Sequence, residues 1–390
     1  MKRIPLPVIL FSTALSIVTL GDSLIYVILP SYYTQIGFVP IQVGILLSAN
    51  RWVRLGTNHL AEYCFRRYPS DLWVIFAFFT GSLVAVAYGL SNLFVVFLAA
   101  RILWGVSFSF LRQAGVMTAV TSGTVAHVGE RMGYFRGINA GLRTIGVFMG
   151  GLCHDVFGFT ATLVGLGILS LSGVPLGYLS QRKIKRMPKP PTAESPRQGD
   201  IGVICCGFAL GLVGPGMIIT TLGLVLKTQV GPSLEIVGYT MGVATLTGFI
   251  LGLRWFIDGA GSPVLGFAAD RIGRQRSLRF LFPFNAVALI VLSLLKTPAL
   301  LVLLIFAFFI GSSALMTLLS AQAGQSGSRS VASYATAMDF GMSIGPLIAW
   351  GIAQFSLPMG LIFFSGGLIY GIASIIALKT FAKPTGQGSC

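Results

Sequence analysis

Six arginines and two aspartates lie inside otherwise apolar stretches of this 390-residue chain. They are Asp22, Arg51, Arg54, Arg101, Arg112, Arg143, Arg254 and Asp339. A guanidinium group binds carboxylate or phosphate oxygens through a planar fork of N–H donors. A buried carboxylate whose cationic partner moves away takes up a proton more readily. These residue types therefore indicate anion binding and proton exchange.

Asp22 and Arg101 are the candidates for proton exchange. Asp22 lies about 15 residues into the first apolar stretch, and Arg101 lies about eight residues into the fourth, which runs in the opposite direction. The two side chains are therefore expected at similar depth. We expect an ion pair that exchanges a proton as it opens and closes; a static structural pair is the alternative.

The other charged side chains form the predicted anion-binding set. Arg143 and Arg51 lie near the middle of their stretches, about 11 residues from each start, and Arg112 follows Arg101 by three helical turns, on the same face. The set comprises Arg51, Arg112, Gln113, Arg143, Tyr26, Trp104 and Arg254. The alternative is that some of these arginines bind carbonyl groups at helix ends, above all Arg54 and Arg254.

Composition indicates which elements must position these residues. The chain is 54% hydrophobic and 10% charged, whereas a soluble domain carries about 25% charged residues. Apolar runs of about 20 residues predict transmembrane helices, and the 49 glycines favour close helix packing in a bilayer. We predict an all-α membrane protein with twelve spans, at 7–30, 40–62, 71–90, 93–120, 132–157, 159–180, 201–226, 235–257, 278–296, 299–321, 333–355 and 357–379.

One charged, proline-rich stretch, 181–200, divides these spans into two sets of six, and its composition is typical of a solvated linker. The predicted domains are 1–180, the linker 181–200, 201–380 and a tail 381–390. The stretch 238–270 is too long for a single crossing and contains the sequence DGAGSP, so we expect an interrupted element there. His154 and Asp155, at a predicted outer edge, are expected to form an ordinary surface pair.

The distribution of basic residues predicts the orientation. Of the Lys and Arg residues in predicted loops, nineteen fall on the side of the N-terminus, and only Lys227 and Lys296 fall on the other. This asymmetry predicts that both termini and the linker are cytoplasmic. The formal net charge of +16 is then mostly positive-inside charge, so nucleic-acid binding is excluded. We expect a multi-pass protein of the plasma (inner) membrane.

Several motifs resemble those of the major facilitator superfamily. Residues 266–276 read GFAADRIGRQR, which is similar to the family's loop signature G-x-x-x-D-R-x-G-R-x-R, and residues 58–67, NHLAEYCFRR, are its degraded counterpart in the first half. RILWG at 101–105, Gly21-Asp22 on the first span, and DFGMSIGP at 339–346 are weaker matches. The Gly21-Asp22 segment resembles the drug–proton antiporter branch.

The resemblance implies two pseudo-symmetric six-helix bundles that move about a central site by alternating access, with proton coupling through Asp22. It implies a gating role for Glu62, Arg66, Arg67, Gly266, Asp270, Arg271, Gly273, Arg274 and Asp339. Together with the arginines, it favours a monomeric proton-coupled exporter of a small organic anion, such as a carboxylate- or phosphate-bearing metabolite or a siderophore, in contact with membrane lipids.

Two alternatives stay open. One is an exporter of hydrophobic or cationic drugs, and the other is a non-transporting membrane receptor or assembly factor. The spans contain no nucleophile–base set, so an enzyme is not expected. The five cysteines and three histidines show no metal-ligand spacing, and no phosphate-binding glycine loop occurs, so no metal or cofactor is expected.

Overall fold

The structure is a computed structural model, and it describes residues 4–123, 127–182, 200–231, 233–236, 239–261, 264–265, 267, 271–295, 297–326 and 328–381. The predicted gating residues Gly266 and Asp270, most of the linker and all but the first residue of the tail lie outside these ranges.

Most described residues are helical. The helices are α1 (Leu6–Ile36), α2 (Pro40–Arg67), α3 (Ser70–Leu90), α4 (Phe94–Thr121), α5 (Val128–Ser170), α6 (Gly173–Gln181), α7 (Asp200–Gly211), α8 (Ile219–Val230), α9 (Val243–Phe256), α10 (Arg274–Leu294), α11 (Pro298–Gln325), α12 (Ser328–Gln354) and α13 (Gly360–Thr380). Their bounds follow the predicted spans closely because long apolar runs without water must satisfy their backbone groups internally.

Gly158 separates two predicted spans inside α5. Its φ of 80° and ψ of 178° are not helical, and a glycine adopts positive φ without the steric cost of a side chain. The apolar helical stretch Glu130–Gln181 has 52 residues, about 78 Å at the rise of a helix. That length exceeds two hydrocarbon thicknesses of ~30 Å, so the break at Gly158 is consistent with the two predicted spans 132–157 and 159–180.

The eighth predicted span is wrong at its start. Residues Ser233–Ile236 (β1) and Tyr239–Gly242 (β2) form an antiparallel hairpin, with Ser233 opposite Gly242. The helix α9 begins only at Val243 and passes into a π-helical segment at Ile257–Gly261. The expected interruption near Asp258 is therefore a wide turn of the helix, and the β-branched and aromatic residues of the hairpin favour strands over helix.

The seventh predicted span is continuous but widened. The π-helical segment Leu212–Ile218 joins α7 to α8 and contains Pro215. Proline has no N–H to donate within an α-helix, and one wider turn accommodates that loss.

The chain divides into two compact units. Unit 1 comprises Met1–Pro190 and Thr221–Ala260, and unit 2 comprises Pro191–Thr220 and Gly261–Cys390. In unit 1, α1 and α9 both pack on α5. In unit 2, α10 packs on α13, and α12 packs on α7 through glycines that lie against backbone carbonyl groups.

Glycines also set the distance between α5 and α9. A Cβ atom at Gly151 would lie 2.5 Å from the carbonyl oxygen of Ala244, and one at Gly248 would lie 2.8 Å from that of Val147. Since neither position has room for a methyl group, the two backbones approach more closely than larger residues would permit.

Eight helical stretches in the described ranges are long and apolar enough to cross a membrane. The helices α2, α9 and α12 are not among them. The helix α2 carries four arginines and a glutamate, and α9 has only 14 residues. A multi-pass membrane protein is thus confirmed, and the number twelve stays a prediction.

We predict that Gly151→Ala destabilises the protein by about 1–3 kcal/mol, because the new methyl group overpacks the α5–α9 contact. Thermal unfolding in detergent, followed by loss of the monodisperse chromatographic peak, measures the effect. Gly165→Ala is the matched control on the same helix, since its Cβ meets nothing within 4 Å. Equal melting temperatures for the two variants would contradict the role of Gly151.

Candidate functional site

Arg101 is the centre of a buried polar cluster in unit 1. Its side chain is fully buried, and Nη1 donates to Asp22 Oδ1. Nε donates to the carbonyl oxygen of Leu46 at 2.8 Å, and Nη2 donates to the hydroxyl of Tyr26 at 3.0 Å. Arg101 on α4 therefore links α1 and α2 through three different acceptors.

The expected ion pair between Asp22 and Arg101 is present in the structure, and its role in proton coupling stays a prediction. The second carboxylate oxygen of Asp22, Oδ2, has no hydrogen-bond partner in the described part of the chain and is not sealed from solvent. That oxygen is accessible for a proton.

Arg143 on α5 lies close to this cluster but is bound differently. Nε donates to Ser23 Oγ at 2.8 Å, and the guanidinium carbon lies 3.8 Å from the centre of the Trp255 ring. Within the described residues, Nη1 and Nη2 have no acceptor, and neither is sealed from solvent. The planar fork of Arg143 is therefore oriented by two protein groups and available for an anion.

The charged side chains grouped around Arg143 are three arginines, Arg143 included, and two acids, so their summed charge is positive. Asp22, Arg51 and Asp258 all act electrostatically on Arg143, and the guanidinium of Arg51 lies 6.0 Å from the centre of the Tyr26 ring, which also faces Arg101 at 5.3 Å. The predicted residues Tyr26, Arg51, Arg101 and Arg143 are thus brought together with Asp22.

Three other predicted residues lie apart from this group. Trp104 is 1% exposed; it packs against Gly81 and Phe108 between α3 and α4. Arg112 is exposed on α4 and Gln113 is half-buried. Arg101 and Arg112 share one face of α4 but have different surroundings, because the helices that pack against α4 change along its length.

Arg254 on α9 is paired with Asp258 in the adjoining π-helical segment. Its Nη2 lies 3.5 Å from Asp258 Oδ2, one turn away, and Arg254 is 4% exposed. Arg54, the other arginine expected to bind carbonyl groups at a helix end, is also buried. Its guanidinium carbon lies 4.8 Å from the centre of the Phe108 ring.

The structure describes part of the predicted gating set. Arg67 donates to the hydroxyl of Tyr63 at 2.7 Å, and Glu62 is half-buried on the same helix. Gly273 has a φ of 97° at the start of α10, and the exposed Arg271 lies 4.5 Å from the Phe267 ring. Arg274 is half-buried, Asp339 is buried in unit 2, and the side chain of Arg66 is outside the described part.

The expectation of an ordinary surface pair at His154–Asp155 is wrong. His154 is 5% exposed, and Asp155 Oδ2 accepts hydrogen bonds from the backbone N–H and the hydroxyl of Thr245, at 2.8 and 2.6 Å. Tyr32 donates to Asp155 Oδ1 at 3.3 Å. The sequence shows Asp155 near the end of the predicted span 132–157. Its partner, Thr245 on α9, is about 90 residues away in the chain and could be identified only from the fold.

Comparison with known proteins decides the family. The model of the Major Facilitator Superfamily matches residues 11–346. The chain belongs to this superfamily. No curated protein matches the chain significantly.

Solved structures of superfamily fold are similar over nearly the whole chain. A bacterial homologue of the human lysosomal transporter Spinster, inward-facing and unoccupied, has a TM-score of 0.76 at 12% identity and 100% coverage of both chains. A POT family transporter in complex with a thioalcohol-conjugated peptide has a TM-score of 0.73 at 12% identity, covering 98% of this chain and 96% of its own. A POT family transporter with 5-aminolevulinic acid has the same values. At this identity the likeness establishes the fold.

Membership in the superfamily points to a membrane transporter of a small molecule rather than to an enzyme. The likeness to the drug–proton antiporter branch stays a prediction.

We predict that Arg101→Gln destabilises the protein more than Asp22→Asn does. Glutamine leaves the Asp22 carboxylate without its cation, and breaking a buried pair from one side costs about 3–5 kcal/mol. Asparagine keeps an oxygen that accepts from Arg101. Thermal unfolding of the two purified variants measures the difference, and the reverse order would contradict the central role assigned to Arg101.

Proposed function

We propose that this chain is a proton-coupled secondary transporter of a small organic anion that works by alternating access. The observation that supports the anion is the fork of Arg143, which is held from two sides and has no acceptor among the described residues. A guanidinium in that state binds a carboxylate or phosphate through two parallel hydrogen bonds.

The neighbours of Arg143 support the same ligand chemistry. Arg51 and Arg101 add positive charge, and the Asp22 carboxylate already accepts from Arg101. Since charge buried in a membrane protein needs compensation, an anion that enters beside Arg143 offsets excess positive charge. Substrates of this class include carboxylate- or phosphate-bearing metabolites and siderophores. A cation entering the same place would add to that excess.

The contacts of α1 offer a route for coupling. Asp22, which accepts from Arg101, and Ser23, which accepts from Arg143, are adjacent residues. A proton on Asp22 weakens its bond to Arg101, and any shift of α1 that follows also moves Ser23 and the Arg143 fork. Proton uptake and anion affinity are thereby linked through one turn of α1.

The remaining features of the proposal come from the sequence. The resemblance of Gly21-Asp22 favours export, the basic loops favour cytoplasmic termini in the plasma membrane, and we expect a monomer. The predicted gating residues would act at the cytoplasmic end, where acidic side chains and helix N-termini attract each other. They are Glu62, Arg66 and Arg67 at the end of α2, Gly266, Asp270, Arg271, Gly273 and Arg274, and Asp339.

A multidrug exporter is the second candidate, because Trp255 and Phe108 cover the guanidinium faces of Arg143 and Arg54. Aromatic rings bind hydrophobic and cationic compounds. The two candidates differ in their dependence on the charge of Arg143.

We predict that Asp22→Asn abolishes accumulation of substrate driven by a pH gradient while substrate binding and exchange persist, because an amide cannot carry the proton. Proteoliposomes with an imposed pH gradient and labelled anions measure accumulation, and counterflow without a gradient measures exchange. Accumulation that survives in Asp22→Asn would show that the proton couples elsewhere. Absence of flux of every anion and drug would favour a receptor or assembly role.

We predict that Arg143→Gln lowers affinity for the anion at least about tenfold, since a charged bidentate contact is replaced by a neutral amide. Arg136→Gln, two turns away on the same helix and exposed, is the charge-matched control and should bind as the wild type does. Transport of hydrophobic or cationic drugs that is intact in Arg143→Gln would support the second candidate instead.

A further inference from the structure

Asp155 lies where four elements of unit 1 meet. Its carboxylate is on α5, Tyr32 reaches it from α1, Thr245 reaches it from α9, and Gly242 at the end of the hairpin lies directly against it. A side chain at position 242 would collide with the carboxylate. The approach of the hairpin to Asp155 thus depends on a glycine.

The contact with α9 requires a carboxylate. Thr245 is the third residue of α9, so its N–H is one of the free amides at a helix N-terminus. Asp155 Oδ2 accepts from this N–H and from the Thr245 hydroxyl. Negative charge is stabilised at that position by the amides and by the helix dipole. A proton on the carboxylate removes the negative charge that the Thr245 donors and the helix dipole stabilise, so protonation weakens the contact between Asp155 and Thr245.

Few other titratable groups face Asp155. On α5, His154 Nδ1 lies 3.5 Å from Oδ1, and on α1 the Tyr32 ring lies 4.4 Å from the His154 ring. On α8, Lys227 lies 5.4 Å from the Tyr32 ring and donates to the carbonyl oxygen of Ser31 at 2.5 Å. On α9, Arg254 is nine residues beyond Thr245. No described acid lies in this contact besides Asp155.

A cavity connects this carboxylate to solvent. Its volume is about 540 Å³, and Asp155, His154 and Tyr32 line it together with Gln35, Asn92 and Ser233. A polar cavity of this size holds several waters. Protons can therefore reach Asp155 without passing Asp22, which is about three helical turns from Tyr32 along α1.

We propose that Asp155 is a second proton-binding site, separate from Asp22, and that its protonation releases the N-terminus of α9 from α5. The bound state favours the carboxylate, whereas the released state has lost both Thr245 donors and binds a proton more readily. By linkage, the contact is populated at higher pH and is lost as the pH falls. This site does not depend on the anion chosen in the proposed function.

The release would be local to this end of the helix pair. Further along, α5 and α9 meet through glycine positions and through the Thr144 hydroxyl, which donates to the Gly252 carbonyl oxygen at 3.1 Å. None of those contacts contains a titratable group, so they persist at acid pH. Protonation of Asp155 would thus separate only the first turn of α9 from α5, beside the cavity.

Hydrogen–deuterium exchange of the full-length protein in lipid nanodiscs tests this proposal. Peptides that cover the first two turns of α9 are compared between about pH 7.5 and about pH 3, which lies below the ordinary Asp pKa of about 3.9, after correction for the chemical pH dependence of exchange. The expected result is a several-fold loss of protection at acid pH in the wild type. Protection of α13 in unit 2 serves as the internal reference.

Three variants separate this site from others. Asp155→Asn should show protection that does not change with pH, because its amide does not titrate, and Thr245→Val, which removes one donor but keeps the backbone N–H, should move the transition to higher pH. Asp22→Asn should keep the wild-type transition. Protection of α9 that does not change with pH in the wild type, or a transition abolished by Asp22→Asn and unaffected by Asp155→Asn, would overturn the proposal. If Asp155→Asn does not fold, the Thr245→Val shift decides.

Discussion

A guanidinium group within a membrane-spanning segment is stable only if its donors are occupied and its charge is compensated. Arg101 meets both conditions, since its three donor positions reach Leu46, Asp22 and Tyr26 while its side chain is fully buried. The positions of α1, α2 and α4 in unit 1 depend on this one side chain. Loss of the Asp22 carboxylate without another acceptor in its place would leave a buried charge with an incomplete shell, and the helices would have to separate to let water in.

The two arginines of the site have different tasks because their donors are used differently. All three nitrogens of Arg101 donate to protein acceptors, of which the Asp22 carboxylate is the charged one. Arg143 is oriented by Ser23 and Trp255 but keeps both terminal nitrogens available. A binding group needs a fixed orientation together with hydrogen-bond donors that are still available, because a preorganised guanidinium loses less conformational freedom when a ligand binds.

We propose two separate proton sites in unit 1. Asp22 contacts the cluster of arginines, whereas Asp155 contacts the first turn of α9. The glycine contacts between α5 and α9 carry no charge. In the proposed transporter, protons would therefore act at two places through different groups.

The sequence by itself determined the class of protein and most helix bounds, because apolar run length is a local property that decides whether a helix can cross a bilayer. The superfamily was indicated by the resemblance of residues 266–276 to a known loop signature. It also placed Asp22 beside Arg101, since depth along straight helices follows from residue counting. Only the tertiary structure decided which neighbours surround a given helical face. Arg101 and Arg112 share a face of α4, yet one is sealed and the other is exposed. Likewise Asp155 became a cap of α9 only once α5 and α9 were packed together, because the partner of a side chain far away in the chain is set by packing rather than by spacing.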